Sequence, residues 1–290
     1  MSFNKKLYFD FASLAEAAYA LFRADIDTKR SLIDAGFSES QVSDLLSRWT
    51  VISGAHNAGA GYSSTLFESA EGYVLAFRGT AEFTDDLLSA DVSDIVADGV
   101  AIHQIIDMVN EWTRITSSGK YGIAKLENLD IETMLLRTAG MTYLPVLALR
   151  NDVVIDLPSN TVKTIVWENS TANGLGLGNQ IAAKGLTVTG HSLGGHLAAA
   201  FTRLLPDIGA EAFTVNGAGF GILGLNAFAS RNVSNLFSLL FGDDHFNETS
   251  VLNVYGEKNP EFITQDALLQ QPGLSLPIFI EQPSDWGNKL

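Results

Sequence analysis

The sequence predicts an α/β domain in which helices cover both faces of a mostly parallel sheet. The chain has 290 residues, of which 46% are hydrophobic and 18% charged, so it can bury one large core. Strand-like and helical patterns alternate along it. The β-rich run 186–189 leads through a glycine-rich turn into an Ala/Leu-rich helical pattern at 193–205. We expect a single domain over residues 1–290.

The composition excludes several classes of function. Lys+Arg number 18 and Asp+Glu 33, which gives a net charge of −15 and no electrostatic footprint for nucleic acid. The absence of cysteine excludes a disulfide framework, a thiol nucleophile and Cys-ligated zinc. The histidines show no H-x-x-x-H or H-E-x-x-H spacing, so no metal site is predicted.

The N-terminus predicts an amphipathic helix and neither a membrane span nor a cleavable signal. Lys5 and Lys6 precede an apolar stretch, but Asp10 and Glu16 interrupt it. Its apolar residues recur at helical spacing over 7–22.

The other elements follow from periodicity and from turn and capping signals. The remainder of the first sixty residues is expected to be helical, with a capping box at the start of Ser38–Trp49 and a loop at 54–61. The glycine-rich run 173–178 is expected to be a loop, because its G-x-G-x-G spacing is not that of a dinucleotide fingerprint. Further predictions are hairpin strands at Tyr62–Phe67 and Tyr73–Phe77, a helix over Asp94–Thr113, helical character over 126–149, and short strands at Val153–Ile155 and Lys163–Val166.

The stretch with a chemical signature is residues 190–194, which read G-H-S-L-G. This fits G-x-S-x-G, the pattern of a nucleophile elbow, in which a strained turn between a strand and a helix presents the Ser192 hydroxyl. Glycine on both sides lets neighbouring backbone approach closely, and the helix N-terminus favours developing negative charge. An ordinary glycine-rich turn is the alternative, and the strand and helix on either side favour the elbow.

An acyl-transfer site also needs backbone N–H groups directed at the oxyanion. The N–H of Leu193, directly after the serine, is the first candidate donor. The predicted strand at 73–77 runs into F-R-G-T, and the N–H of Thr80 is the candidate for the second. Considered alone, that run favours the plain interpretation, a strand end broken by glycine.

These two motifs together resemble the class 3 lipases, an α/β-hydrolase family. The runs 214–220 and 253–262 resemble a Gram-negative branch of it, which holds secreted lipases and phospholipases A1. The resemblance, over roughly residues 60–280, implies an α/β-hydrolase fold with Ser192 as nucleophile and Thr80 and Leu193 in the oxyanion hole. It implies a lipid ester substrate at a lipid–water interface and chemistry without a cofactor. A bound calcium ion is an expectation from the resemblance alone, because the acidic pairs at 85–86 and 243–244 are too generic to assign as ligands.

The resemblance places the catalytic acid after the predicted strand at 251–255. Glu257 is the preferred residue, since either Asp or Glu can serve in this fold. A different register puts Asn259 at that position, and Asp243 and Asp244 are further candidates. The alternative for Glu257 is a solvated loop carboxylate.

No histidine of this sequence stands where the resemblance would place the catalytic base. The chain order in this fold is serine, acid, histidine, and no histidine follows Glu257. We therefore expect the sequence to be a piece of a longer enzyme, truncated before that histidine. His245 is a weaker internal candidate. A catalytically inactive lipid- or partner-binding module is the alternative of another class. The five histidines are His56, His103, His191, His196 and His245.

Two segments are candidates for contact with substrate. Phe220–Phe241 is rich in Phe, Leu and Ile and predicts either a buried helix pair or an interfacial flap. Asp91–Trp112 lies where class 3 lipases have a lid. Neither distinguishes triglyceride from phospholipid. The acidity, the absence of cysteine and the lack of a signal sequence favour secretion by a one-step route, with a cytoplasmic location as the alternative.

Overall fold

The computed structural model describes residues 5–22, 26–57, 61–79, 95, 98–129, 152–156, 161–221, 227–242, 245–256 and 269–278. The helices among them are α1 (Lys5–Ala17), α2 (Thr28–Asp34), α3 (Glu39–Arg48), α4 (Ile102–Thr116), α5 (Gly178–Lys184), α6 (Leu193–Leu204) and α7 (Ala227–Leu239), with a 3-10 turn at Pro206–Ile208. The strands are β1 (Thr50–Asn57), β2 (Tyr62–Glu68), β3 (Tyr73–Phe77), β4 (Gly122–Asn128), β5 (Val154–Asp156), β6 (Thr161–Asn169), β7 (Leu186–His191), β8 (Glu211–Val215), β9 (Phe220–Gly221), β10 (Val251–Gly256), β11 (Leu269–Gln270) and β12 (Leu274–Ile278).

The central sheet has seven strands in the order β1-β2-β3-β7-β8-β10-β12. The pairs β1–β2 and β2–β3 are antiparallel, which confirms the predicted hairpin. From β3 onward every pair is parallel. The carboxyl ends of the parallel strands therefore meet at one edge of the sheet, and β7 is central among them. This is the predicted α/β fold with a mostly parallel sheet.

Two hydrophobic cores lie on opposite faces of this sheet. One joins α4, α6 and α7 to the sheet and includes Phe77, Trp112 and Phe201. The other packs α1, α2 and α3 against the opposite face and includes Leu14 and Phe213. Adjacent strand residues alternate between the two, as in β3, where Leu75 and Phe77 face one core and Val74 and Ala76 the other. Helices thus cover both faces, as the sequence predicts.

The ends of two predicted helices have local causes. At the start of α3 the side chain of Ser38 accepts a hydrogen bond from the N–H of Gln41. The side chain of Gln41 accepts one from the N–H of Ser38, so the predicted capping box is present. An ion pair from Arg48 to Asp10 ties the end of α3 to α1, and Arg48 also pairs with Asp44 within α3. The N-terminal helix is confirmed, with Leu14 fully buried.

Three predictions of secondary structure were wrong in part. Residues 50–57 form strand β1 and not a helix and loop, because they pair with β2 along its whole length. The register of this pair shifts once, near Val51. Residues 126–128 belong to strand β4, which pairs with β6, while 130–151 lie outside the described residues. The helix predicted over Asp94–Thr113 is interrupted: Ile95 and Asp98 are helical, Gly99 has a positive φ, and α4 begins at Ile102.

The segment Phe220–Phe241 fits the buried-helix interpretation over the part that the structure describes. Val233, Leu236 and Phe237 of α7 are buried in the core. Asn232 holds this helix to strand β5, accepting from the N–H of Ile155 at 2.8 Å and donating to its carbonyl at 2.7 Å. Residues 222–226 lie outside the described residues.

Candidate active site

Ser192 occupies a sharp turn between strand β7 and helix α6, at the carboxyl edge of the central sheet. It has φ 56° and ψ −121°, a backbone conformation that L-residues with a side chain rarely adopt. The turn is held in place because the Ser192 N–H donates to the carbonyl of Val215 at 3.1 Å, and the Ser192 carbonyl accepts from the N–H of Ala218 at 3.0 Å. This is the strained strand–turn–helix geometry of a nucleophile elbow.

The glycines around Ser192 are required by close backbone approaches. A Cβ on Gly190 would lie 2.2 Å from the carbonyl carbon of Gly194, and one on Gly194 would lie 2.1 Å from the carbonyl oxygen of Phe77. A Cβ on Gly195 would lie 2.6 Å from Cα of Gly217. Helix α6 can therefore pack on strands β3 and β8 only because these positions carry no side chain.

The residue after the serine begins helix α6, and its N–H has no intrahelical acceptor because it belongs to the first turn. The Leu193 side chain is almost fully buried, in a cluster with Ile95, Ala101, Ala218 and Leu269. Residues from three separate parts of the chain thus pack with the side chain of Leu193. An N–H at a helix N-terminus is suited to bind a developing oxyanion.

The residue before the serine makes a long-range contact. The Tyr19 hydroxyl oxygen lies 3.1 Å from Nδ1 of His191. Tyr19 also hydrogen-bonds to the backbone of Gly79, and a Cβ on Gly79 would lie 2.3 Å from the Tyr19 hydroxyl and 2.6 Å from the His191 carbonyl oxygen. Burial, followed by the charge of Glu16, raises the pKa of Tyr19 to about 12, so the phenol keeps its proton at neutral pH.

His196, one helical turn after Ser192, is fully buried and uses both ring nitrogens. The N–H of Ala101 donates to Nε2 at 3.2 Å, so the proton is on Nδ1, which donates to the Gly219 carbonyl at 3.0 Å. Burial lowers the pKa of His196 to about 4, and the imidazole is therefore neutral at pH 7. With neither nitrogen open, His196 does not fit the role of general base.

A buried polar network lies beneath the elbow. Oδ1 of Asn253, on strand β10, accepts from the Thr214 hydroxyl at 2.8 Å and from the N–H of Gly217 at 3.0 Å. The N–H of Gly256 donates to Oδ1 of Asn216 at 3.2 Å, at the end of the same strand. These bonds tie the end of β10 to the loop after β8, which is the edge from which residue 257 continues.

The remaining predicted site residues divide into two groups. Thr80 and Glu257 lie outside the described residues, as do Asn259, Asp243 and Asp244. Among the described histidines other than those at the elbow, Nε2 of His103 lies 3.4 Å from Nζ of Lys163, and His245 and His56 are exposed. Their described contacts bring none of these three to Ser192.

Sequence reasoning missed Tyr19 and Asn253 as residues of the site. Tyr19 is 172 residues from His191, and Asn253 is 39 residues from Thr214, so no local spacing pairs them. A tyrosine directly after an amphipathic helix and an asparagine within an apolar strand are the only signals, and both are weak on their own.

The described residues contain neither a cluster of metal ligands nor a membrane-spanning helix. No group of three His, Cys, Asp or Glu side chains is placed to hold a metal ion within the part of the chain that the structure covers. Among the described helices, none has both the length and the apolar character needed to cross a bilayer.

No family model matches this sequence, and no curated protein matches it. Similar solved structures exist at low identity. The lipase of Rhizopus microsporus var. chinensis is 16% identical, with 98% of this chain and 77% of that chain covered and a TM-score of 0.44. The Lip2 lipase of Yarrowia lipolytica is 16% identical, with 96% and 79% covered and a TM-score of 0.43. A triacylglycerol lipase with a serine protease triad is 13% identical, with 89% and 73% covered and a TM-score of 0.38.

Proposed function

We propose that this protein is a serine ester hydrolase that cleaves acyl esters of lipids, with Ser192 as nucleophile. The observation that carries the proposal is the backbone of Ser192, a non-glycine residue at φ 56° between a central parallel strand and a helix N-terminus. Such strain is retained where the surrounding structure enforces it, and it concentrates at functional sites.

The reaction would proceed through an acyl-enzyme. The Ser192 oxygen attacks the ester carbonyl carbon while its proton passes to a base, and the alcohol leaves with a proton returned to it. Water then cleaves the acyl-serine and releases the fatty acid. The N–H of Leu193 and the N–H of Thr80 would bind the oxyanion, and Glu257 would orient the base. No step of this chemistry needs a metal, so a loss of turnover on treatment with EDTA would indicate calcium in a role outside the chemical steps.

The lipid substrate is the finer part of the proposal and rests on the sequence resemblance. Triacylglycerol and the sn-1 ester of a phospholipid present the same acyl carbonyl to Ser192, so both are candidates. Comparing turnover of tributyrin and of phosphatidylcholine vesicles by the same preparation decides between a lipase and a phospholipase A1. A location outside the cell, also proposed, is tested by fractionating cells that express the protein and assaying the medium.

The first test compares the wild-type chain with Ser192→Ala on p-nitrophenyl esters from acetate to palmitate. Ser47→Ala, a substitution at the far end of α3, is the matched control. We expect hydrolysis by the wild type and the control, and its loss in Ser192→Ala. A fluorophosphonate that labels Ser192, located by mass spectrometry, supports the assignment independently of turnover.

A folded wild-type chain that neither hydrolyses esters nor takes the label would contradict the proposal for this chain. Retention on vesicles by such an inactive chain would instead support the second candidate function, a lipid- or partner-binding module without catalysis. If activity is present, His245→Ala tests whether that residue is the base, because loss of turnover with intact folding would identify it.

A further inference from the structure

His196 is fully buried in helix α6, and it joins three segments of the chain. Its backbone N–H donates to the Ser192 carbonyl at 3.2 Å. Its ring connects Ala101, at the N-terminus of α4, to Gly219, in the loop after β8, through bonds of 3.2 and 3.0 Å. The distance along the chain from Ala101 to His196 is 95 residues, so the ring brings together backbone that local sequence leaves independent.

The segments that His196 joins are those that enclose Leu193. Ala101, one backbone partner of the ring, and Ala218, next to the other partner Gly219, both belong to the buried cluster around the Leu193 side chain. The N–H of Ala218 also donates to the Ser192 carbonyl. A shift of Ala101 or of the 218–219 backbone would therefore move the packing that fixes the Leu193 N–H.

The ring of His196 makes one further contact, and this contact is apolar. It stacks on Phe220, with ring centroids 3.9 Å apart and an interplanar angle of 22°. A phenylalanine at this position would keep that stacking and fill most of the volume. It could not accept from the Ala101 N–H or donate to the Gly219 carbonyl, so two buried backbone groups would lose their partners.

The neutral ring is what allows both bonds at once. One nitrogen must accept and the other donate, which only a neutral imidazole with its proton on Nδ1 provides here. Burial favours this state and holds the pKa of His196 at about 4, against the opposing effect of the Gly219 and Ala218 carbonyls. The base of the proposed reaction must in contrast have an open nitrogen, so His196 acts through its neighbours.

We propose that His196 is a positioning residue that holds the Leu193 N–H in the direction required for an oxyanion, by tying Ala101 and Gly219 to the helix that carries Ser192. The catalytic part of this inference rests on the proposed function. The structural part, that the ring orders Ala101 and Leu193, stands independently of it.

The test compares His196→Phe with Phe220→Leu. The first removes both ring hydrogen bonds and keeps an aromatic ring at the position. The second keeps both hydrogen bonds and removes the stacked ring. We expect amide hydrogen exchange at Ala101, which loses its acceptor, to be about tenfold faster in His196→Phe, and exchange at Leu193 to rise in that variant because the packing around it loosens. Both rates should stay within about twofold of wild type in Phe220→Leu.

Activity gives the second readout. In His196→Phe we expect kcat for p-nitrophenyl butyrate to fall about tenfold or more with KM within about twofold, because the oxyanion forms only in the transition state. Partial recovery of kcat in His196→Gln, whose amide can donate and accept, is expected as well. Equal loss of kcat in Phe220→Leu would show that the position matters only for packing and would overturn the proposal.

The outcomes remain distinguishable from failure of the proposed function. If the wild type has no esterase activity, the exchange rates at Ala101 and Leu193 still decide whether His196 orders them, and unchanged rates overturn the inference. If His196→Phe does not fold, the ring ¹⁵N shifts of wild-type His196 decide. A protonated Nδ1 and an accepting Nε2 at pH 7 support the inference, and the opposite tautomer overturns it.

Discussion

The hydroxyl oxygen of Tyr19 lies 3.1 Å from Nδ1 of His191, and the same hydroxyl is hydrogen-bonded to the backbone of Gly79. One side chain, following the first helix, thus joins the residue before Ser192 to the residue before Thr80. Ser192 is the candidate nucleophile, and Thr80 is the candidate second oxyanion donor. Because the pKa of Tyr19 is raised to about 12, its proton remains available for this contact throughout the neutral range.

Replacing Tyr19 by phenylalanine is expected to lower the free energy of unfolding by about 1–2 kcal/mol, because the Gly79 backbone and His191 Nδ1 lose a buried partner. We also expect slower ester hydrolysis, since Gly79 is then held less firmly. Urea unfolding at pH 7 measures the first effect. Tyr73→Phe is the control, because Tyr73 is buried at the opposite end of strand β3, where its hydroxyl lies 3.4 Å from Gln180. If both variants reduce turnover equally, the contact with His191 has no special role.

Substitution of alanine for Gly190 or Gly194 is expected to destabilise the protein by about 3 kcal/mol or more, or to prevent folding, because each Cβ would overlap fixed backbone. The nearest atoms would lie at 2.2 and 2.1 Å. Thermal unfolding measures the effect. Gly119→Ala is the control, since a Cβ there has no atom within 4 Å, and its change should be within about 0.5 kcal/mol. An alanine tolerated at either elbow position would contradict the described packing.

Ser192→Gly is expected to be more stable than Ser192→Ala by about 1 kcal/mol, because glycine adopts positive φ without a Cβ penalty. The measured quantity is the difference in Tm between these two variants, neither of which can form an acyl-enzyme. The comparison isolates the backbone strain of the elbow from the chemistry of the hydroxyl. Equal or reversed Tm values would mean that Ser192 is not held at φ 56° in solution.

The buried neutral His196 predicts a loss of stability in acid. In the unfolded chain its pKa is near 6.5 and in the folded protein it is about 4, so between these values the unfolded state binds more protons. The contribution of His196 to the free energy of unfolding is therefore fully present above pH 6.5. It decreases as the pH falls, and about 3 kcal/mol is lost by pH 4. Urea titrations at pH 7, 5 and 4 measure it.

His196→Phe provides the comparison for this pH dependence, because the other titrating groups are common to both proteins. We expect the free energy of unfolding of the variant to fall less steeply between pH 6.5 and 4 than that of the wild type. Parallel profiles would show that His196 is accessible to protons in the folded state.

Several parts of the fold were predictable because their causes are local. Ser38 and Gln41 are within one turn of each other, and both halves of their capping box are present. The strand-like runs 62–67 and 73–77, separated by Glu71 and Gly72, predicted a hairpin that the register confirms. In contrast, strand β1 was predicted as a helix and loop, because its status as a strand comes from pairing with β2 and not from its own pattern.

The sequence by itself determined the elbow. Two glycines that flank Ser192 at 190 and 194, a β-rich run before it and an Ala/Leu-rich helix after it all lie within one short stretch of the chain, and close backbone approach explains both glycines. Only the tertiary structure decided what supports that turn. Tyr19 meets His191, Ala101 meets His196, and Asn253 meets Thr214 and Gly217. These contacts depend on the path of the chain between distant residues, and a buried polar side chain finds its partner only when packing brings the two together.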